Sequence, residues 1–287
     1  MGLTFHEYKF LDYIKKSKEF GDVLTLGRLE ILLKKNDLSE LQVINEKDFD
    51  EKYSEKILIN KFGALSVTSI DNSNYENATE IIDLNLPIKK INKQYDTIID
   101  FGTSEHIFNV AQCLQNIANL CKNGGFIIHC LPANNNCGHG FWQFSPELFF
   151  SLYNEKNGFS DTEVHIIDLT DMKVWWKVNL QNQGERIELN SDVPLYIASK
   201  TTKIRENTTQ IVQQSDYKFL WENKYSKSQK ISKKNLISRI AKDTKTSFKS
   251  LLAKLPFIKD YYLKFEQKKL SNKKFFKKNR YLEKKNK

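Results

Sequence analysis

Residues 95–146 read YDTIIDFGTSEHIFNVAQCLQNIANLCKNGGFIIHCLPANNNCGHGFWQFSP. Residues 95–101 form a short, mostly apolar run of the kind that makes a buried strand. Across residues 106–121, Ile107, Val110, Ala111, Leu114, Ile117, Ala118 and Cys121 recur on one face at helical spacing. Lys122 falls in the last turn, and Asn123-Gly124-Gly125 is expected to stop the helix with the left-handed backbone that glycine permits. Residues 126–131 make a second buried strand, and a polar loop carrying Gly138-His139-Gly140 leaves it. Strand, helix and strand give one right-handed βαβ unit. Reactive side chains gather at the carboxyl ends of its strands, where open α/β sheets bind ligands.

Upstream, Phe5, Tyr8, Leu11, Tyr13 and Ile14 predict an N-terminal helix over residues 3–18, packed against the sheet edge. Residues 22–27 read as the first strand, running into Gly27, and residues 28–33 as helical. A polar helical segment is expected over residues 41–62. Residues 64–70 form a second strand ending in Asp71, and residues 80–84 a short third one. Downstream, residues 146–155 predict a helix with Pro146 in its first turn. Residues 162–169, 173–178 and 193–199 carry the β-branched and aromatic alternation of strands. Strands alternating with helices imply an α/β fold: a doubly wound, mostly parallel sheet with an antiparallel finish. Trp175-Trp176 and Phe149-Phe150 are read as core or lid packing. The α/β domain is expected over residues 1–205, with a linker at 206–229 and a basic tail at 230–287.

Charge is divided along the 287 residues. The chain carries a net +10, yet residues 222–287 hold 22 Lys+Arg against 5 Asp+Glu, leaving residues 1–221 at −7. The tail repeats apolar residues at helical intervals (Leu236, Ile237, Ile240, Phe248, Leu251, Leu252) among many lysines, which predicts a basic amphipathic helix suited to an anionic membrane surface. A solvated tail shaped by lysine-rich composition is the alternative. A nucleic-acid partner is disfavoured, because the body is acidic and the tail holds two arginines. No run approaches the roughly 18 apolar residues of a membrane span. The N-terminus lacks the pattern of a signal peptide, so the expected location is the cytoplasm, with peripheral attachment to the inner membrane face through the tail. Cys113, Cys121, Cys130 and Cys137 form no C-x-x-C pair and have no histidines clustered at zinc spacing. All four are expected to be small buried thiols, and no metal site is predicted.

The order of elements, and YDTIIDFGTSEHIFN…LCKNGGFIIHCLP in particular, resembles the class I S-adenosylmethionine-dependent methyltransferases, over about residues 22–199. The loop GHGFWQFSPELF resembles methyltransferase-like proteins of bacterial surface-polysaccharide gene clusters. The resemblance implies a Rossmann-like fold and S-adenosylmethionine as cofactor. It also implies O-methylation of a sugar or glycan intermediate. For the cofactor it implies Gly27 after the first strand, Asp71 for the ribose hydroxyls, Asp83 near the adenine amino group, and Asp100 and Gly102 at the end of the fourth strand. Arg28, read from its charge, is expected to pair with the cofactor's carboxylate instead of a glycine-rich loop. The chain departs from the family at its first strand: Leu24-Thr25-Leu26-Gly27-Arg28 has one glycine and no acid. That departure keeps open a second reading, a catalytically inactive methyltransferase-like scaffold at the membrane.

Several of these residues carry two readings. Gly27 either approaches a cofactor or makes a tight turn, while Asp71 and Asp83 are either ligand acceptors or turn and cap acids. His106 is either a general base for an acceptor hydroxyl or a first-turn residue beside a Thr or Ser cap. His139, flanked by two glycines, is either a second base or a solvated loop histidine. Glu105, Trp142 and Gln143 are the expected acceptor-binding residues, the indole suiting a ring-shaped acceptor.

Overall fold

The computed structural model describes residues 2–41, 46–89, 93–171, 173–179, 186–206, 211–224 and 276–280. The chain forms two compact units, one of residues 1–179, 191–212 and 276–287, the other of residues 180–190 and 213–275. In the first unit the elements run β1 (Gly2–Leu3), α1 (Phe5–Lys15), β2 (Gly21–Leu26), β3 (Glu30–Ile31), α2 (Lys35–Glu40), α3 (Glu55–Phe62), β4 (Ala64–Asp71) and β5 (Glu80–Ile81). They continue β6 (Tyr95–Phe101), α4 (Val110–Leu120), β7 (Cys121–Pro132), α5 (Pro146–Leu152), β8 (Phe159–Asp168), β9 (Val174–Val178) and β10 (Leu195–Lys203). The second unit contributes α6 (Ser215–Lys224), where Asp216 in the first turn pairs with Arg186. Back in the first unit, β11 (Phe276–Arg280) completes the list.

One sheet of nine strands has the order β11-β9-β8-β10-β7-β6-β2-β4-β5. The five strands from β7 to β5 are parallel, and β10 runs antiparallel between β7 and β8. This is the doubly wound, mostly parallel, Rossmann-like sheet with an antiparallel finish that the sequence predicts. The central pairing follows from composition. Ile98 and Ile99 of β6 lie level with Ile127 and Ile128 of β7, and all four are fully buried. Strands covered on both faces need such runs rather than alternation.

Several expectations are corrected. Helix α1 lies over the sheet rather than at its edge. Phe10 packs its ring at 5.8 Å from His165 of β8 and at 5.7 Å from Trp175 of β9, while Cys130 of β7 meets Glu7 at 3.2 Å. The Thr4 amide donates to Glu7 at 3.2 Å to start the helix. Residues 28–33 are not helical: β3 pairs with β1, a partner set by tertiary contact. Residues 41–62 hold a 3-10 turn at Glu46–Phe49 and then α3.

Helix α4 also starts later than its apolar face suggests. A 3-10 turn occupies Ser104–His106, and Asn109 caps α4 by accepting from the Gln112 amide at 3.4 Å. The helix ends at Leu120, and Cys121 is already extended. Asn123-Gly124-Gly125 therefore bends the start of β7 instead of stopping the helix. A Cβ at Gly125 would meet Asp96 O and Cys121 Sγ at 2.9 Å each, so this close approach requires glycine. Cys137 is exposed, while the other three cysteines are buried. The expected linker contains α6, and Phe276–Arg280 of the expected helical tail is a strand on β9. The amphipathic helix itself falls outside the described residues. Among the described residues, no helix is long and apolar enough to cross a membrane.

Candidate functional site

The carboxyl ends of β2, β4, β6 and β7 lie at one edge of the sheet. Chain order reverses between β2 and β6, which makes their ends the topological switch point where doubly wound folds bind ligands. Gly27 follows β2 at φ 72°, with its amide donating to Ile70 O at 2.6 Å. Gly102 follows β6 at φ 86°, and Thr103 Oγ1 donates to Leu26 O at 2.6 Å, tying the two strand ends together. Both backbones are left-handed, a conformation that other residues adopt only under strain.

The acids around this edge are already engaged to different degrees. Asp71 closes β4 half-buried, its Oδ1 accepting from the Ser73 amide at 3.0 Å. Asp83 is exposed and accepts from the Asn85 amide and side chain, at 2.8 Å each, which holds its carboxyl below the usual range. Arg28 is already engaged: it bonds Glu55 at 2.5 Å, donates to Glu76 O in the loop after β4 at 3.2 Å and stacks over the Tyr53 ring at 4.0 Å.

Asp100 is fully buried and saturated. Oδ1 accepts from the Thr103 and Ser104 amides at 3.2 Å each, and Oδ2 accepts from Ser104 Oγ at 2.6 Å. His129 Nδ1 lies 2.8 Å from the same Oδ2, and its Nε2 lies 2.8 Å from the Tyr153 hydroxyl. Asp100 thus shapes the turn after β6 from beneath. His129 and Tyr153, which complete this relay, escaped the sequence reading; a lone histidine among Ile127, Ile128, Cys130 and Leu131 was the available signal.

That turn delivers Glu105 and His106. The loop after β7 delivers His139 to the same place. His106 and His139 have ring centroids 5.4 Å apart, and their Nε2 atoms lie 3.9 and 3.3 Å from Glu105 Oε1. The Tyr196 hydroxyl of β10 is 3.3 Å from His139 Nε2. The side chain of Glu105 has no exposed surface, and neither carboxylate oxygen has a hydrogen-bond partner among the described residues. Burial, then the neighbouring Asp100, pushes its carboxyl up to about 8. Burial, with His139 alongside, lowers the His106 imidazole.

Backbone geometry locks the loop on Glu105. Phe141 and Trp142 amides donate to Glu105 O at 2.7 and 3.3 Å. Gly140 sits at φ 76°, where a Cβ would meet Glu105 Cγ and O at 2.8 Å each. Only glycine lets the loop descend this far. Trp142 Nε1 donates to Ile107 O at 2.9 Å, and Gln143 Oε1 accepts from the Asn136 amide at 3.1 Å, so both side chains brace the loop. Phe108 and Phe141, both exposed, form an edge-on pair at 6.2 Å beside it.

No family model matches the chain, and no curated protein matches it. Solved structures similar to it include the N-methyltransferase NodS from Bradyrhizobium japonicum WM9, 10% identical, with 69% of this chain and 97% of that one covered and a TM-score of 0.40. The same enzyme in complex with S-adenosyl-l-homocysteine covers 69% of this chain and 87% of that one at 10% identity and a TM-score of 0.38. A SAM-dependent methyltransferase from Thermotoga maritima is 14% identical, with 69% and 91% covered and a TM-score of 0.36. The fold assignment rests on the strand order and register described above.

Proposed function

We propose that the chain is an S-adenosylmethionine-dependent methyltransferase that O-methylates a sugar or glycan intermediate of surface-polysaccharide synthesis. The observation that carries this reading is the convergence of Glu105, His106 and His139 beside the switch point of the sheet. The strand ends fit the cofactor: Gly27 and Gly102 present left-handed backbone without a Cβ, and the Asp71 carboxylate is half-buried at the next strand end, where it can accept from a diol. Gly27, Asp71 and Gly102 would hold the cofactor, with Asp83 beside its base.

When bound, that cofactor supplies a methyl group on a sulfonium. The protein's task is to align an acceptor oxygen with it and exclude water. Glu105 fixes the floor of the acceptor site, His139 holds the acceptor hydroxyl, and the His106 imidazole takes its single proton as the methyl group is transferred. The Trp142 indole offers a face to a ring-shaped acceptor, and Gln143 a polar edge.

Calorimetric titration with S-adenosylhomocysteine tests this. Saturable binding is expected, weakened at least tenfold by Asp71→Ala. Absence of heat and of a thermal shift at millimolar ligand would overturn it. One observation favours the inactive scaffold instead: Arg28, which directly follows Gly27 where a glycine-rich loop is missing, is held by Glu55 and Tyr53. The same titration separates the two, since a scaffold does not bind. The reading includes attachment to an anionic membrane face through the basic tail. In that case removing residues 230–287 abolishes flotation with anionic liposomes; equal flotation of both chains would dispose of it.

A further inference from the structure

We infer that Glu105, His106 and His139 form a site for one divalent transition-metal ion, with one ligand atom from each residue. Three observations carry this. First, the ligand atoms are already gathered: one from each residue, all within 4.8 Å of one another. Ligands about 2.0–2.1 Å from a tetrahedral ion stand roughly 3.4 Å apart. Glu105 Oε1 and His139 Nε2 are separated by 3.3 Å, and His106 Nε2 lies 3.9 Å from the same oxygen, a small side-chain movement away.

Second, the carboxylate is fully buried, and both oxygens lack a hydrogen-bond partner among the described residues. A buried carboxyl with no hydrogen-bond partner is costly whether neutral or ionised, and a protein retains one where a ligand offsets that cost. Neither neighbouring imidazole makes a directed hydrogen bond to it. A cation between the three groups would satisfy one oxygen directly and stabilise the ionised form of the carboxyl.

Third, the set is open. Two histidines and one carboxylate complete three positions of a coordination sphere, and both imidazoles are about half exposed on the outer side. Remaining positions are left for an exogenous oxygen ligand, as in metal centres that act on substrates. The Tyr196 hydroxyl, at 3.3 Å from His139 Nε2, would exchange that nitrogen for an oxygen bound to the ion. Nitrogen and carboxylate donors select first-row transition ions such as Zn²⁺, Mn²⁺ or Co²⁺ over magnesium or calcium. With such an ion in place the two imidazoles act as its ligands instead of as bases, and the ion itself lowers the pKa of a bound hydroxyl, which suits an alcohol acceptor. The inference goes beyond the methyl-transfer reading, because ion binding by the full chain stands or falls without cofactor or acceptor.

Cobalt(II) chloride titrated into the metal-free full-length protein, with visible absorption and calorimetry as readouts, tests the site. One equivalent of Co²⁺ is expected to bind at micromolar affinity and be displaced by Zn²⁺. Glu105→Gln, which keeps the buried shape, and His139→Ala, on the exposed loop, are each expected to weaken it at least tenfold, while Cys137→Ser leaves it unchanged. Thermal melts confirm that the variants fold. Failure of the wild type to take up one equivalent would overturn the inference. So would a folded Glu105 or His139 variant that loses less than tenfold, or loss of binding in Cys137→Ser. Absent S-adenosylhomocysteine binding with intact Co²⁺ binding would remove only the methyltransferase reading.

Discussion

Gly140 decides where His139 stands. Its positive φ and its contact with Glu105 allow the loop after β7 to close over the turn after β6. Gly140→Ala is expected to cost about 1–3 kcal/mol in denaturant unfolding, the usual penalty for a side chain forced into the left-handed region. Unchanged stability would show that the loop relaxes freely. His129 works from below. His129→Leu leaves Asp100 short of one partner and the Tyr153 hydroxyl bare, and each orphaned buried group costs about 1–3 kcal/mol. Unfolding curves for His129→Leu and for the double variant with Tyr153→Phe separate the two contributions: the double variant is expected to recover part of the loss. At this scale the sequence was partly legible. Glycines around a histidine mark close backbone approach, but whether Glu105 or a ligand lies beneath them is a matter of three-dimensional neighbours.

Helix α4 carries a buried polar residue that binds elements together. Asn116 Nδ2 donates to the carbonyls of Leu84 and Leu86 at 3.2 and 2.9 Å, and its Oδ1 accepts from the Ile88 amide at 3.3 Å. The loop holding Asp83 and Asn85 is thereby fastened to the helix after β6. Asn116→Ala is expected to lower stability by about 1–3 kcal/mol and to raise hydrogen exchange in residues 84–88. Exchange unchanged there would sink this account of the loop. The sequence showed α4 through its apolar stripe and β6 and β7 through their aliphatic runs. It mistook the boundaries because Asp100 and Asn85 capture the amides of Ser104 and Asn109, turning into a tight connection what periodicity alone extends as helix.

Across the folded body, α1 is joined to the sheet through a buried aromatic and histidine layer. His165 sits fully buried, its ring 5.8, 5.9 and 6.1 Å from Phe10, Tyr13 and Trp175, and neither nitrogen has a hydrogen-bond partner among the described residues. Burial lowers this imidazole from 6.5 to about 4, against Glu163, which raises it, with Lys177 and Lys200 lowering it further. The unfolded chain therefore binds the proton more readily than the folded one between these values. Stability from this group is complete above about 6.5 and is lost as pH falls toward 4, by on the order of 3 kcal/mol at full extent. His165→Phe, which keeps the ring packing, is expected to flatten this loss. Denaturant unfolding of wild type and variant across pH 4–7 checks it, and parallel curves would refute it.

What the sequence by itself determined was the fold: the period of its apolar residues fixes strand or helix, and buried aliphatic runs fix which strands are central. It also marked Glu105, His106 and His139 individually, because polar residues at strand ends in an α/β pattern stand at the ligand edge. Only the tertiary structure decided that these three meet, that Asp100 serves the backbone instead of the open edge, and that Arg28 is held by Glu55. Those outcomes depend on burial and on hydrogen bonds between residues distant along the chain, which no local pattern of residues encodes.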